Sequence, residues 1–274
     1  MRGADSAREM LSESCKYCAP LVFINSLAVA GLADLPMAAD ALNGTVTFIR
    51  FEGKTYALTA HHVVELLREK AAQVHPDGWL FSTLLGIRGQ SLVDRYVPAF
   101  PGCFKQPIAQ HPDEYDIALT EINDRFLEAI GKVAFPLERD ANSDEVRAFA
   151  VGYPTEEKFD VVDNWGRSLG LRCVQAVADR ASRLLFYSEI QKHPDIKRLR
   201  GMSGGPVFCV RDDELSLLGI AIEGLDFGPQ TNERGADSPE GLSSGPRVAF
   251  AIQPITTMLL RSWVAELSAC GCTS

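Results

Sequence analysis

A serine in a glycine-rich turn is the clearest candidate for chemistry in this sequence. It lies in the stretch Arg200-Gly201-Met202-Ser203-Gly204-Gly205-Pro206. A serine hydroxyl is a poor nucleophile at neutral pH, so acyl transfer needs a base that takes its proton and a third group that orients the base. The N–H of Gly201 can turn inward beside that of Ser203, where the two would bind a developing oxyanion.

Candidates for the base are His61 and His62, which lie where a predicted strand gives way to a predicted helix. The candidate orienting group is Asp116, which precedes a short apolar run. Each signal is ambiguous alone. Paired histidines at a helix start can cap and pack, a Ser-Gly-Gly-Pro string can be a plain turn, and an aspartate can simply end a strand. Their joint occurrence favours a catalytic triad.

Three motifs carry a family resemblance. GMSGGPV resembles the serine motif of the chymotrypsin-like serine protease superfamily, LTAHHV resembles its histidine motif and DIAL its aspartate motif, in the family's order. The resemblance selects His62 over His61, because the motif reads Thr-Ala-x-His, and Asp116 over Asp113, because Asp116 directly precedes Ile-Ala-Leu. It implies Ser203 as nucleophile, His62 as general base and Asp116 as orienting group, with an oxyanion hole formed by the N–H groups of Gly201 and Ser203.

The resemblance covers about residues 44–267 and implies an all-β fold of two six-stranded antiparallel β-barrels of the chymotrypsin type with a C-terminal α-helix. We expect a leader over residues 1–42 without strand pairing and a peptidase domain over 43–267. Within that domain, we expect the first barrel at about 43–125, the second at about 140–253 and the helix at 254–267.

The pattern of elements agrees with this architecture. Residues 45–51 and 54–59 predict a hairpin around Glu52-Gly53, and helical spacing follows in HHVVELLREKAAQ. The remaining strands are short and separated by turn residues, as in barrels or sandwiches; they are predicted at 79–85, 116–122, 145–152, 171–178, 184–190, 207–210, 215–222 and 247–252. Residues 225–246 are expected to form a long surface loop. Pro254 is expected to open the last helix, with one apolar face of Ile255, Met258, Leu259, Trp263 and Leu267.

Two departures from the extracellular relatives resemble the bacterial-type members. Met202 stands where those relatives carry the aspartate that receives a new N-terminus, so activation through that ion pair is not available. Val63 and Leu199 stand where their disulfide cysteines would be.

Substrate preference stays open. By family position, Lys197 would approach the pocket that holds the side chain before the cleaved bond, where a cation favours acidic groups, although it can equally be a solvated surface charge. The backbone from Ile222 to Gly224 would pair with an extended substrate. Glu223, if turned inward, would favour basic residues instead, so no cleavage specificity is predicted.

Seven cysteines, an odd number, indicate reduced thiols and a cytoplasmic location rather than a disulfide framework. The N-terminal stretch carries both charge signs and does not resemble a secretory signal. Cys15, Cys18, Cys270 and Cys272 would bind zinc or form a terminal disulfide only if the two ends met, and we expect no metal or other cofactor. Cys173 and Cys209 are expected to be small buried hydrophobes in strands.

The 274 residues are 46% hydrophobic and 23% charged, which is typical of a folded globular protein. A net charge of −9 argues against nucleic acid and anionic membrane surfaces as partners.

Taken with the three motifs, the sequence predicts a serine endopeptidase acting on protein or peptide substrates. It is expected to be conditionally activated in a bacterial stress or defence pathway and controlled by a protein partner. The alternative is a catalytically silent binding module with the same fold. Restraint of the site by residues 1–42 or 225–246 is a further hypothesis.

Overall fold

The computed structural model describes residues 13–25, 43–74, 79–83, 99–100, 103–107, 115–138, 140, 147–155, 158–163, 166–171, 174–180, 185–189, 200–211, 214–226 and 247–269. Side-chain surroundings are described for most of these residues. The fold class is confirmed: antiparallel strands dominate, and a helix closes the chain.

The first half is a six-stranded sheet in the order β4-β1-β2-β3-β5, with β6 pairing in parallel with β2. Its strands are β1 (Cys18–Asn25), β2 (Gly44–Phe51), β3 (Lys54–Thr59), β4 (Trp79–Ser82), β5 (Ala118–Ile122) and β6 (Phe135–Pro136). The predicted first barrel is found as this six-stranded sheet, and each of its edge strands makes one isolated bridge to a residue outside the named strands. Ser82 of β4 bridges Ala99, and Leu119 of β5 bridges Lys105.

The expectation that residues 1–42 lack strand pairing is wrong for β1. This strand pairs with β2 on one side and with β4 on the other. A proline within an apolar run argues against a central strand, because it cannot donate to the ladder. Pro20 is tolerated because it lies where β1 pairs only with β2, while β4 begins its pairing at Val22. The first sheet therefore begins before residue 43.

The second half contains a closed barrel in the order β10-β11-β14-β13-β12-β7, as the sequence predicts. These strands are β7 (Arg147–Gly152), β10 (Val174–Arg180), β11 (Leu185–Glu189), β12 (Pro206–Arg211), β13 (Glu214–Asp226) and β14 (Arg247–Pro254). An additional hairpin, β8 (Lys158–Asp163) and β9 (Gly166–Leu171), pairs only with itself. Strand β13 continues through Leu225 and Asp226, which were predicted to be loop, and residues 227–246 lie outside the described residues.

Three α-helices complete the described residues: α1 (His61–Val74), α2 (Asp124–Ala129) and α3 (Thr257–Ala269). Helix α3 does not begin at Pro254, which ends β14. The hydroxyl of Thr256 accepts the N–H of Leu259 at 3.2 Å, so a threonine caps this helix. None of the described helices combines the length and apolar character needed to cross a bilayer.

The apolar face of α3 is centred on Leu260 and Trp263, which are fully buried. Met258, predicted on the buried face, is 73% exposed. Helical geometry explains the difference, since Met258 lies two residues from Leu260 and therefore about 200° away around the helix axis.

A shared core joins the two halves. One cluster of buried side chains combines Ile49 and Tyr56 of the first sheet with Phe208 and Ile220 of the barrel and Trp263 of α3. Burial of such side chains stabilises the packing of each half on the other. Hydrophobic contacts thus hold the two halves together.

Candidate active site

His62 lies one residue inside the start of α1, at the point where β3 ends. The β-branched and aromatic residues of KTYALT form the strand. Val63 then donates its N–H to Ala60 at 3.2 Å in the first turn. The side chain of His62 is 47% exposed, so its ring reaches solvent.

Asp116 lies at the same end of the paired strands as His62, because Thr59, the last residue of β3, pairs with Ala118, the first residue of β5. One carboxylate oxygen of Asp116 accepts the backbone N–H of His62 at 2.9 Å. The other lies 2.5 Å from Nδ1 of the same histidine. An Nδ1–H that donates to this carboxylate leaves Nε2 as the proton-accepting nitrogen.

Burial raises the pKa of the Asp116 carboxyl, but side-chain and backbone hydrogen bonds from His62 and the nearby imidazoles outweigh it. The net result is a pKa below the ordinary value of 3.8. Asp116 is therefore ionised at neutral pH, which is the state that orients and stabilises an imidazolium.

Ser203 lies in a loop whose shape depends on two glycines. Gly201 and Gly204 have φ angles of +97° and +88°, in the region that L side chains rarely adopt. A Cβ at Gly204 would overlap the carbonyl oxygen of Thr45 and the hydroxyl of Thr59. The loop therefore lies directly against the first sheet, and its contact residue Thr59 is three positions before His62.

The first sheet also holds this loop by hydrogen bonds. Thr45 donates its N–H to the carbonyl of Ser203 at 2.9 Å, and Thr47 donates its hydroxyl to the carbonyl of Gly204 at 2.7 Å. Gly204 in turn donates its N–H to Ala221 of β13 at 2.6 Å. The Ser203 loop is consequently held by hydrogen bonds to both halves.

Within the part of the chain that the structure describes, the Ser203 hydroxyl makes no hydrogen bond with His62. Apo sites commonly show loose nucleophile–base contacts that tighten when substrate binds. The backbone N–H groups of Gly201 and Ser203 likewise donate no hydrogen bond to any described residue. Gly201 is buried and Ser203 is partly exposed, and these two N–H groups, with one residue between them, are available to an oxyanion.

The residues predicted to bind substrate fall into two groups. Gly224 lies in the segment of β13 that pairs with β14, and Ile222 lies at a shift in the register of that pairing. Strand β12 pairs with β13 no further than Ile220, so among the described residues the opposite edge from Ile222 onward has no strand partner. Lys197 lies outside the described residues, and the side chain of Glu223 is not described.

The cysteine predictions are tested only in part. Cys18 is fully buried in the shared core, and Cys209 is also buried, as expected for that residue. Cys173, Cys270 and Cys272 lie outside the described residues. The described residues contain no group of three or more side chains suited to holding a metal ion.

Sequence reasoning missed the threonines that hold the loop. Thr45 and Thr47 alternate on one face of β2, and Thr59 lies beside them at the end of β3. All three are buried. Threonines at alternate positions of a strand were the available signal. The loop that they bind is more than 150 residues away in sequence, and only the packing of the two halves brings it to these hydroxyls.

Comparisons with known proteins identify solved structures only. No protein-family model and no curated protein matches the chain. The chain is similar to the thermostable serine protease AL20 from an extremophilic microorganism, with 13% identity over 93% of this chain and 99% of that chain and a TM-score of 0.46. It is also similar to the protease Anisep from Arthrobacter nicotinovorans, with 14% identity over 92% of this chain and 96% of that chain and a TM-score of 0.43.

Proposed function

We propose that this protein is a serine endopeptidase with Ser203 as nucleophile, His62 as general base and Asp116 as the group that orients the histidine. The observation that carries the proposal is the paired contact of His62 with Asp116 beside the end of β3, where Thr59 lies against Gly204 of the Ser203 loop. The unpaired N–H groups of Gly201 and Ser203 supply the oxyanion site.

Acylation follows from this arrangement. The Ser203 hydroxyl attacks the carbonyl carbon of the scissile bond while its proton passes to Nε2 of His62. The charge that develops on the former carbonyl oxygen is stabilised by the N–H groups of Gly201 and Ser203. The C–N bond then breaks, the imidazolium gives its proton to the leaving amine, and an acyl ester remains on Ser203.

Deacylation uses the same groups in reverse. Water loses a proton to His62 and attacks the ester carbon, forming a second oxyanion at the same N–H groups. The bond between that carbon and the Ser203 oxygen breaks, the oxygen takes the proton back from His62, and a carboxylic acid product leaves. Ionised Asp116 stabilises the imidazolium in both stages.

An extended peptide would lie along the unpartnered edge of β13, from Ile222 to Gly224. Backbone pairing there binds a substrate strand without selecting its side chains. Lys197 is the proposed residue for a preference for acidic side chains, and Glu223 would oppose it. We therefore assign protein or peptide substrates without a preferred residue at the cleaved bond.

Covalent labelling tests the proposal. We expect a fluorophosphonate to add one phosphonyl group to Ser203, with loss of fluoride, and intact mass to report it. Ser203→Ala should abolish labelling, and the exposed Ser262→Ala should keep the wild-type rate. Labelling that persists in Ser203→Ala would exclude Ser203 as nucleophile.

A silent binding module is the second candidate, favoured by the missing hydrogen bond between Ser203 and His62 in the described structure. On that reading, wild type would neither label nor cleave. A peptide would bind the cleft with the same affinity in a Ser203→Ala, His62→Ala double variant.

Location and control are also proposals. We propose a cytoplasmic, conditionally activated protease of a bacterial stress or defence pathway with a protein partner that controls it, supported by the seven cysteines and by Met202 at the activation position. Restraint by the whole of residues 1–42 is not testable by deleting them, because the deletion would remove β1. Deleting residues 1–12 alone keeps all residues of β1.

A further inference from the structure

A buried amide side chain from the first half lies next to Gly201 in the Ser203 loop. Asn43, directly before β2, is 7% exposed. Its Nδ2 donates to the carbonyl of Tyr153 at 2.7 Å, and its Oδ1 accepts the hydroxyl of Thr155 at 2.9 Å. Both polar atoms of the amide therefore hydrogen bond to one short segment of the second half, residues 153–155.

That segment holds the peptide group whose N–H is the proposed oxyanion donor. Thr155 donates its backbone N–H to the carbonyl of Arg200 at 2.7 Å. The Arg200 carbonyl and the Gly201 N–H belong to one planar peptide and point in opposite directions. Holding the carbonyl toward Thr155 therefore directs the Gly201 N–H away from that segment.

The next peptide group, between Gly201 and Met202, is also held by a side chain of the first half. The Thr45 hydroxyl accepts the N–H of Tyr153 at 3.0 Å and donates to the carbonyl of Gly201 at 2.7 Å. A Cβ at Gly201 would lie 2.7 Å from the Tyr153 carbonyl oxygen and 2.8 Å from both Nδ2 of Asn43 and the Thr155 hydroxyl. Gly201 therefore packs directly against the Asn43 network, which leaves no room for a side chain at this position.

We propose that Asn43 and Thr155 are positioning residues that fix the orientation of the Arg200–Gly201 peptide and so aim its N–H at the oxyanion. The inference rests on the proposed function for its catalytic meaning. The fixed orientation of the loop can also be measured without turnover.

The test compares three variants with a matched control. Asn43→Ala removes both hydrogen bonds, Thr155→Val removes one at nearly constant volume, and Thr155→Ser keeps the hydroxyl. The control is Thr55→Val, which removes a threonine hydroxyl that also donates to one side chain, that of Asp124; Thr55 is 4% exposed and lies at the opposite end of β3. The measurements are the rate of fluorophosphonate labelling of Ser203, the thermal midpoint, and hydrogen exchange of residues 200–205.

We expect Asn43→Ala to slow labelling by about 10- to 100-fold, less than the about 10²- to 10³-fold lost when an oxyanion donor itself is removed. Thr155→Val should slow it by about 3- to 10-fold, the equivalent of one net hydrogen bond. Thr155→Ser and Thr55→Val should stay within about twofold of wild type on the same scale. Exchange at Gly204 and Gly205, whose N–H groups are hydrogen bonded, should accelerate in Asn43→Ala while the rest of the barrel stays protected.

Three outcomes would overturn the proposal: a folded Asn43→Ala that labels at the wild-type rate, a rate loss in Thr55→Val equal to that in Thr155→Val, or faster exchange spread evenly over both halves. If wild type itself does not label, the site is either latent or silent at rest, which bears on the proposed function and not on the role of Asn43. The exchange of residues 200–205 then decides the role of Asn43 alone, with local loss of protection supporting it and unchanged protection refuting it.

Discussion

Two adjacent histidines have different surroundings at the scale of single residues. His62 contacts Asp116 through both its ring and its backbone. Nδ1 of His61 is buried and has no hydrogen-bond partner among the described residues. The family resemblance selected the same histidine from sequence, because the motif reads Thr-Ala-x-His. The contacts of Asn43 and Thr155 were beyond sequence reasoning, because they depend on how the halves pack.

Replacing Asp116 with Asn tests the orienting role. The amide cannot stabilise an imidazolium and can donate to Nδ1, which favours the wrong tautomer of His62. We expect fluorophosphonate labelling to slow by about 10⁴-fold, the loss typical of this substitution in such triads. Asp124→Asn, at an exposed carboxylate that accepts hydrogen bonds from Arg50 and Thr55, is the control and should label normally. A loss below tenfold in Asp116→Asn would contradict the assignment.

Among the elements, hairpins and helices with strong local patterns were predicted well, as β2, β3 and α1 illustrate. Strand β1 was missed because Pro20 and the absence of a local partner concealed its pairing with β4. The hairpin β8–β9 was missed because its glycines and charges, as in KFDVVD and GRSLGL, give little alternation of apolar residues. Local periodicity finds strands that alternate, whereas pairing across long separations is decided by tertiary packing.

The start of α3 gives a prediction at this scale. Thr256→Ala removes the hydroxyl that accepts the N–H of Leu259 and should lower the free energy of unfolding by about 1 kcal/mol. Thr256→Ser should retain most of that stability. Urea denaturation measures the difference, with the exposed Ser262→Ala as control. An unchanged urea midpoint in Thr256→Ala would show that the cap contributes nothing.

For the whole molecule, stability should decline on both sides of a broad plateau in pH. Asp116 has a folded pKa below its ordinary 3.8, so the unfolded chain takes up its proton first and stability is lost as pH falls below that value. Burial chiefly raises the pKa of Tyr17 and Tyr56 above 10.0, so the unfolded chain loses these protons first and stability falls as pH rises above that value.

Denaturant midpoints measured from about pH 3 to 11 would show both declines. The acid decline should be shallower in Asp116→Asn, which removes that carboxyl. Tyr56→Phe should similarly weaken the alkaline decline. Midpoints that rise as pH falls from 5 toward 3 would contradict the sign worked out from Asp116.

The proposed triad draws residues from both halves, and this placement limits unwanted cleavage of other proteins. His62 and Asp116 belong to the first half, and Ser203 belongs to the second. Threonines of the first sheet hold the Ser203 loop in place. A molecule that is still folding, or whose halves have separated, therefore lacks a working site. Such a protease would be harmless during its own synthesis and would cease to cut neighbouring proteins as soon as damage parts its halves.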